Sequence, residues 1–149
     1  MLITRLSNEE VLASGFTHKA VLSFAQGDFS AAATTQSFAL FAPAASQIID
    51  RAARRNVANL VSGTATAVVG ILGDGDDDDG FLVSKSLLTG ATPIVAQAGD
   101  GALLNQTGGK VYNAAGALTY KLTSTTDNIN TITAGEIHLF FRVVDLPSL

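Results

Sequence analysis

Apolar and polar residues alternate along most of this chain, and the alternation repeats every two residues far more often than every 3.6. A period of two is typical of β-strands. Clusters of Gly, Asn, Asp and Pro separate the alternating segments, as turns between strands require. The pattern predicts about eight strands, at residues 18–25, 35–41, 47–54, 65–72, 81–87, 92–96, 117–123 and 135–145.

The last of these segments shows the alternation most clearly, and both of its faces are partly apolar. One face carries Ile137, Leu139, Phe141 and Val143, and the other carries His138, Phe140, Arg142 and Val144. Such a strand is expected inside a sandwich or at a subunit contact. Together with the strand count and the turn spacing, it predicts an all-β fold, an antiparallel jelly-roll β-sandwich.

Residues 46–61 permit two interpretations. Their apolar residues fall partly at helical spacing, and Ser46 could cap a helix. The strand interpretation is favoured, and the helix stays open beside it.

Residues 1–16 contain no turn chemistry of their own and are predicted to form an extended N-terminal arm before a sandwich domain at 17–149. A helical turn is expected at residues 8–12. Because so short a segment cannot bury enough surface to fold alone, it should become ordered against a neighbouring subunit. The predicted interface residues are its apolar ones, Leu2, Ile3, Leu6, Val11, Leu12 and Phe16.

Composition narrows the classes of partner. The 149 residues suffice for one core, and the net charge of −4 comes largely from five carboxylates between residues 73 and 80. The nine Lys and Arg are scattered except at 51, 54 and 55, which argues against direct nucleic-acid binding. Cysteine is absent, and neither a signal peptide nor an apolar run of about 18 residues occurs, so we expect a soluble protein that does not contact membranes.

The acidic run at residues 73–80 is the candidate metal site. Oxygen ligands at every second residue can wrap a calcium ion, as in the first part of an EF-hand loop. The match then fails, because Asp79 replaces the required Gly and Lys85 replaces the final Glu. Calcium in another loop geometry and a solvated turn without any cofactor both stay open. The calcium hypothesis would use Asp74, Asp76 and Asp78.

Nucleophilic catalysis has little support in the sequence. A Ser-His-Asp site would have to use His18 or His138, and neither occurs in a supporting motif. The chain is therefore predicted not to be an enzyme.

Three segments, taken in their order along the chain, are similar to those of a known protein family. Residues 34–44 form a polar-to-apolar strand that ends at a proline turn, residues 70–82 a glycine-aspartate loop followed by Phe-Leu, and residues 133–139 a threonine-alanine-glycine turn before the last strand. In this order they resemble small β-sandwich proteins of tailed-bacteriophage virions. The resemblance covers about residues 16–146. It implies a jelly-roll capsid cement, or decoration, protein that stabilises the phage head.

The resemblance also implies particular binding partners. The protein would form a homotrimer on the outside of the shell and bridge subunits of the major capsid protein, so its location would be the virion. Related sandwiches also occur in tail fibres and receptor-binding proteins. A phage fibre or carbohydrate-binding module is therefore the alternative.

Overall fold

The computed structural model describes residues 1–89, 95–104, 109–112 and 116–148, which contain ten β-strands, one short α-helix and four 3₁₀ helices of three residues each. The strands are β1 (Leu2–Arg5), β2 (His18–Ser23), β3 (Thr35–Phe41), β4 (Gln47–Ser62), β5 (Ala67–Gly73), β6 (Leu82–Ser86), β7 (Ala96–Ala98), β8 (Lys110–Val111), β9 (Leu118–Thr125) and β10 (Ile132–Asp145). The helix, α1, spans Asn8–Ser14.

The strands form two sheets. The large sheet has the order β1-β2-β10-β4-β7, and β8 also pairs with β4. The small sheet has the order β3-β9-β5-β6. Every pairing between these strands is antiparallel, so the prediction of an antiparallel all-β fold is confirmed.

Most predicted strands lie where the alternation placed them. The strand at 35–41 is found with the same bounds, and the strands predicted at 65–72, 81–87 and 117–123 are each displaced by two residues or fewer at either end. Of the predicted strand 92–96, residues 92–94 lie outside the described residues, while Ala96 begins β7.

β4 resolves the two interpretations of residues 46–61 in favour of a strand, and the helical alternative is wrong. The strand runs for 16 residues and buries Ile49, Ala52, Arg54, Asn56 and Leu60. Two of the four steps in this set are of two residues, and the other two, of three and four residues, are departures that lie where the pairing with β10 is irregular. These departures mimic helical spacing in the sequence.

Residues 1–16, predicted as an extended arm, form β1 and α1 in the structure. β1 pairs with β2 in the register Leu2 to Val21 and Arg5 to His18. The expected helical turn is α1, which Ser7 caps through a reciprocal capping box with Glu10. None of these sixteen residues is buried. The segment therefore lies on the edge of the large sheet without entering the core.

The core fills the space between the two sheets. Leu139 and Phe141 of β10 and Leu118 and Leu122 of β9 are fully buried there. Arg54, on β4, is also buried in this layer, with 1% of its surface exposed.

Candidate functional site

The acidic segment Gly73–Gly80 connects β5 to β6 at one end of the sandwich and is called the acidic loop below. Asp76, Asp78 and Asp79 are exposed, as a solvated turn requires. Asp74 differs from the expectation of a surface position, because only 4% of it is exposed. One of the five carboxylates is thus a structural part of the interior.

Asp74 is buried because its carboxylate has hydrogen-bond donors on several sides. The Tyr112 hydroxyl donates to it at 2.7 Å, and the backbone N–H groups of Asp76 and Asp77 donate at 3.0 and 3.2 Å. Burial, followed by the hydrogen bond to Asp74, raises the pKa of Tyr112. The neutral phenol therefore remains a donor at physiological pH and holds the start of the loop in place.

Two lysines neutralise part of the remaining loop charge. Lys110 Nζ lies 2.7 Å from the Asp76 carboxylate and 3.7 Å from that of Asp74. Lys121 Nζ lies 3.8 Å from the Asp78 carboxylate. The hydrogen bond with Lys110 lowers the pKa of Asp76, and the same bond raises the pKa of Lys110.

Asp77 and Asp79 form the crowded part of the loop. Hydrogen bonding with the Asp77 side chain, then burial, then the charge of Asp77 raise the pKa of Asp79. When one of two neighbouring carboxylates is ionised, its charge makes ionisation of the other less favourable and so raises the pKa of the other. The loop thus keeps a surplus of negative charge beyond what its lysines neutralise.

The structure does not assemble the predicted calcium ligands into a metal site. Asp74 is engaged by Tyr112, Asp76 by Lys110 and Asp78 by Lys121. Within the described ranges, no group of three or more His, Asp or Glu side chains is placed to hold a metal ion. The alternating spacing did not reveal this arrangement, because the partners of these carboxylates, Tyr112, Lys110 and Lys121, come from distant parts of the chain.

A cleft of about 710 Å³ opens beside the acidic loop. Besides the loop, Lys110 and Lys121, it is lined by the hydroxyls of Ser37 and Thr119 and by the small residues Gly116 and Ala117. Its lining combines hydroxyls, ammonium groups and carboxylates in ion pairs. Such a surface can donate and accept hydrogen bonds to a neutral polar ligand.

The two histidines lie away from this cleft. His18 stacks on the Phe141 ring with centroids 5.0 Å apart, and its Nδ1 lies 2.8 Å from the Thr17 hydroxyl. His138 is on β10 and contacts the Glu136 carboxylate through Nε2. Neither histidine forms a hydrogen bond with a serine in the described part of the chain.

The six apolar residues predicted as an interface are all at least partly accessible. Leu12 on α1 is 88% exposed and Leu2 on β1 is 56% exposed. Phe16 is half-buried, because its ring packs against Phe140 at 5.7 Å. The structure therefore brings Phe16 onto the outer side of the large sheet, whereas Leu2 and Leu12 remain without a covering partner in the described chain.

Sequence reasoning missed the buried polar network around Arg54. Its guanidinium donates to the Gly70 carbonyl at 3.0 Å, the Tyr120 hydroxyl at 2.7 Å and the Gln97 side-chain oxygen. Gln97 in turn donates to Asp100 at 2.8 Å. The one available signal was the alternation within β4, which puts Arg54 in phase with the buried Ala52.

No helix among the described residues is long and apolar enough to cross a membrane. Compared with protein-family models, curated proteins and solved structures, the chain matches none of them.

Proposed function

We propose that this protein is a non-enzymatic capsid cement, or decoration, protein of a tailed-bacteriophage head, which binds the outside of the shell as a homotrimer and bridges subunits of the major capsid protein. The observation that carries the proposal is the strand order of the two sheets. The resemblance of three sequence segments to phage virion sandwiches supports it.

The strand order supports a jelly roll. From β2 onward the chain changes sheet at every step except two, with β2, β4 and β10 in the large sheet and β3, β5 and β9 in the small sheet. The strand pair β5 and β6 stays in the small sheet, and β7 and β8 both pair with β4. Eight positions filled in this order correspond to two Greek keys wound into a double sheet. Viral capsid and lectin domains share this architecture.

The N-terminal segment supports attachment to a larger assembly. Among the described strands β1 pairs with β2 alone, its four residues are all exposed, and α1 has no buried residue. An edge strand with unpaired backbone groups and exposed apolar side chains is a template for pairing with another chain. We infer that residues 1–16 act as the arm that contacts a neighbouring subunit or the capsid floor.

The experiment is to locate the chain in particles. Mass spectrometry of purified virions from the source of this sequence should detect the protein, and cryo-electron microscopy should show it as threefold densities outside the shell. The purified protein should also bind shells that lack it. Absence from the particles would reject the proposal, because cementing requires residence on the capsid.

The polar cleft favours a second candidate, a fibre or carbohydrate-binding module. Sugars are bound through many hydroxyl contacts, and Ser37, Thr119, Lys110 and Asp76 present both donors and acceptors around about 710 Å³. A glycan array probed with the purified protein would test this function. Binding that is lost in Lys121→Ala and Thr119→Ala, both in the cleft lining, would favour it over cementing.

A further inference from the structure

The outward side of the large sheet carries a cluster of cationic and aromatic side chains, called the basic face below. Its members are Lys19 on β2, Arg51 and Arg55 on β4, and Phe140 and Arg142 on β10. Directly opposed residues of neighbouring strands share a face of the sheet. Arg142 opposes Arg51, and Lys19 opposes Phe140.

Like charges on the basic face are crowded and partly uncompensated. Arg142 forms an ion pair with Asp50. Lys19 interacts electrostatically with the Glu10 carboxylate. Within the described chain, no carboxylate lies within 4.0 Å of the charged nitrogens of Arg51 or Arg55. Cations directly opposed across strands destabilise a sheet unless an anion lies between them. The basic face is thus suited to an acidic partner.

An apolar centre accompanies these charges. The Arg51 guanidinium lies 5.8 Å from the centre of the Phe16 ring, which packs on Phe140 at 5.7 Å. Arginine and aromatic side chains are enriched at protein interfaces, whereas lysine and acidic residues are depleted. Because exposed ion pairs alone contribute little binding free energy, the apolar contact of Phe16 and Phe140 would strengthen an interface at the basic face.

The acidic loop supplies the complementary charge. Three of its five carboxylates contact the two lysines, so carboxylates outnumber lysines there, and the basic face has two arginines, Arg51 and Arg55, without a carboxylate within 4.0 Å in the described chain. The two surfaces do not satisfy each other within one chain, because none of the loop carboxylates lies within 4.0 Å of these cations. The loop joins β5 to β6 of the small sheet and the basic face is on the outward side of the large sheet, so the loop of one copy can meet the face of another.

We propose that the acidic loop of one copy docks on the basic face of a second copy of this chain. The contact is heterologous, since different surfaces of the two copies meet, and such contacts close into rings when the rotation permits. This inference rests on the self-association within the proposed function and names its interface. Ring closure with three copies would give the proposed trimer.

The test measures self-association of the purified full chain by sedimentation equilibrium. A face variant, Arg51→Glu with Arg55→Glu, and a loop variant, Asp77→Lys with Asp79→Lys, should each weaken association by about tenfold or more. The variant that combines all four changes should recover it, because the charges are exchanged and attract again. Association of the wild type should also weaken between about 0.1 and 1 M salt, as the screening length falls from about 10 to 3 Å.

Lys85→Glu is the matched control, since Lys85 is an exposed cation on the small sheet. It should associate like the wild type, and circular dichroism should show that all variants are folded. A wild type that stays monomeric, a closed dimer, or a folded four-change variant that fails to recover would overturn the proposal. Capsids play no part in the measurement, so this result is distinguishable from a failure to find the protein in virions.

Discussion

The Arg54 guanidinium donates a hydrogen bond of 2.7 Å to the Tyr120 hydroxyl in the layer between the two sheets. Arg54 belongs to β4 of the large sheet and Tyr120 to β9 of the small one, so the bond joins the sheets directly. The Gly70 carbonyl on β5 accepts from the same nitrogen at 3.0 Å. Both side chains are almost completely buried, and the bond therefore operates without competition from water.

We expect Tyr120→Phe to lower the free energy of unfolding by about 1 to 3 kcal/mol, because it removes an acceptor from a buried charged group. Arg54→Leu should cost more, since it leaves the buried Tyr120 and Gln97 oxygens without their donor. The double variant should cost less than the sum of the two single ones, because the residues act as a pair. Urea denaturation measures all three, and strict additivity would show that the pair is not coupled.

Gly70 should tolerate no side chain. A Cβ at this position would lie 2.0 Å from the Tyr120 hydroxyl and 2.9 Å from an Arg54 nitrogen. Since both neighbours are held in the buried network, Gly70→Ala should destabilise the fold by roughly 1 to 3 kcal/mol or more. The control is Gly63→Ala, where a Cβ would meet nothing within 4 Å. Equal melting temperatures for the two variants would contradict this account.

The fold class could be predicted because alternation is local. The strand at 35–41 needs only its own residues to reveal a buried and an exposed side, and the structure has it with the same bounds. The length of β4 was harder to predict from the sequence, because its irregular pairing with β10 interrupts the alternation of buried and exposed residues. Such irregularities arise from the register between two paired strands, and the sequence of one strand does not reveal that register.

The candidate site was less predictable than the fold. Five aspartates in six positions indicate a loop, and the structure has one. Their partners come from elsewhere in the chain, because Tyr112 and Lys110 reach Asp74 from 38 and 36 positions away. Long-range pairing of this kind decides whether a carboxylate is buried, solvated or available to a metal, and local spacing cannot reveal it.

His18 should make stability depend on pH. Burial, and to a smaller extent the charge of Arg5, lower the pKa of His18 in the folded protein. The unfolded chain, with a histidine pKa of about 6.5, then binds the proton more readily than the folded one. Stability is therefore complete above about pH 6.5 and falls as the pH drops through the folded pKa.

Thermal melts between about pH 8 and pH 5 would check this dependence. His18→Gln should flatten the curve in that range relative to the wild type. A slope that persists in His18→Gln would assign the titration to another group.

The loop aspartates should differ sharply in their structural importance. Asp74→Ala removes the acceptor of the Tyr112 hydroxyl and of two backbone N–H groups, and should cost about 1 to 3 kcal/mol. Asp78→Asn alters an exposed contact of 3.8 Å and should have almost no effect on stability. Chemical denaturation of the two variants measures the contrast, and equal losses would contradict the burial argument.

Calcium should leave the melting temperature of the wild type unchanged, because lysines already contact Asp76 and Asp78. A calorimetric titration that shows micromolar calcium affinity, with a large rise in melting temperature, would restore the calcium hypothesis for this loop.

Deletion of residues 1–15 should spare the sandwich and weaken attachment to capsids. None of these residues is buried, and β1 contributes one edge pairing, so the melting temperature should fall only slightly. Apolar surface that the segment buries against a neighbour stabilises the contact by about 25 cal/mol per Å². The total stabilisation must exceed the conformational entropy that the segment loses when it is held in place. A rigid capsid or subunit surface meets that condition.

A point variant separates attachment from folding. Leu12 is 88% exposed, so Leu12→Asp should leave the melting temperature of the free protein unchanged. On a capsid the same change would place a charge in an apolar contact, and binding to shells that lack the protein should decrease. Pelleting of shells with each variant measures the effect, and Thr4→Ser, a mild change on the exposed β1, is the control. Undiminished binding of both the deletion and Leu12→Asp would exclude residues 1–16 from the attachment surface, since an arm that carries binding cannot be removed without loss.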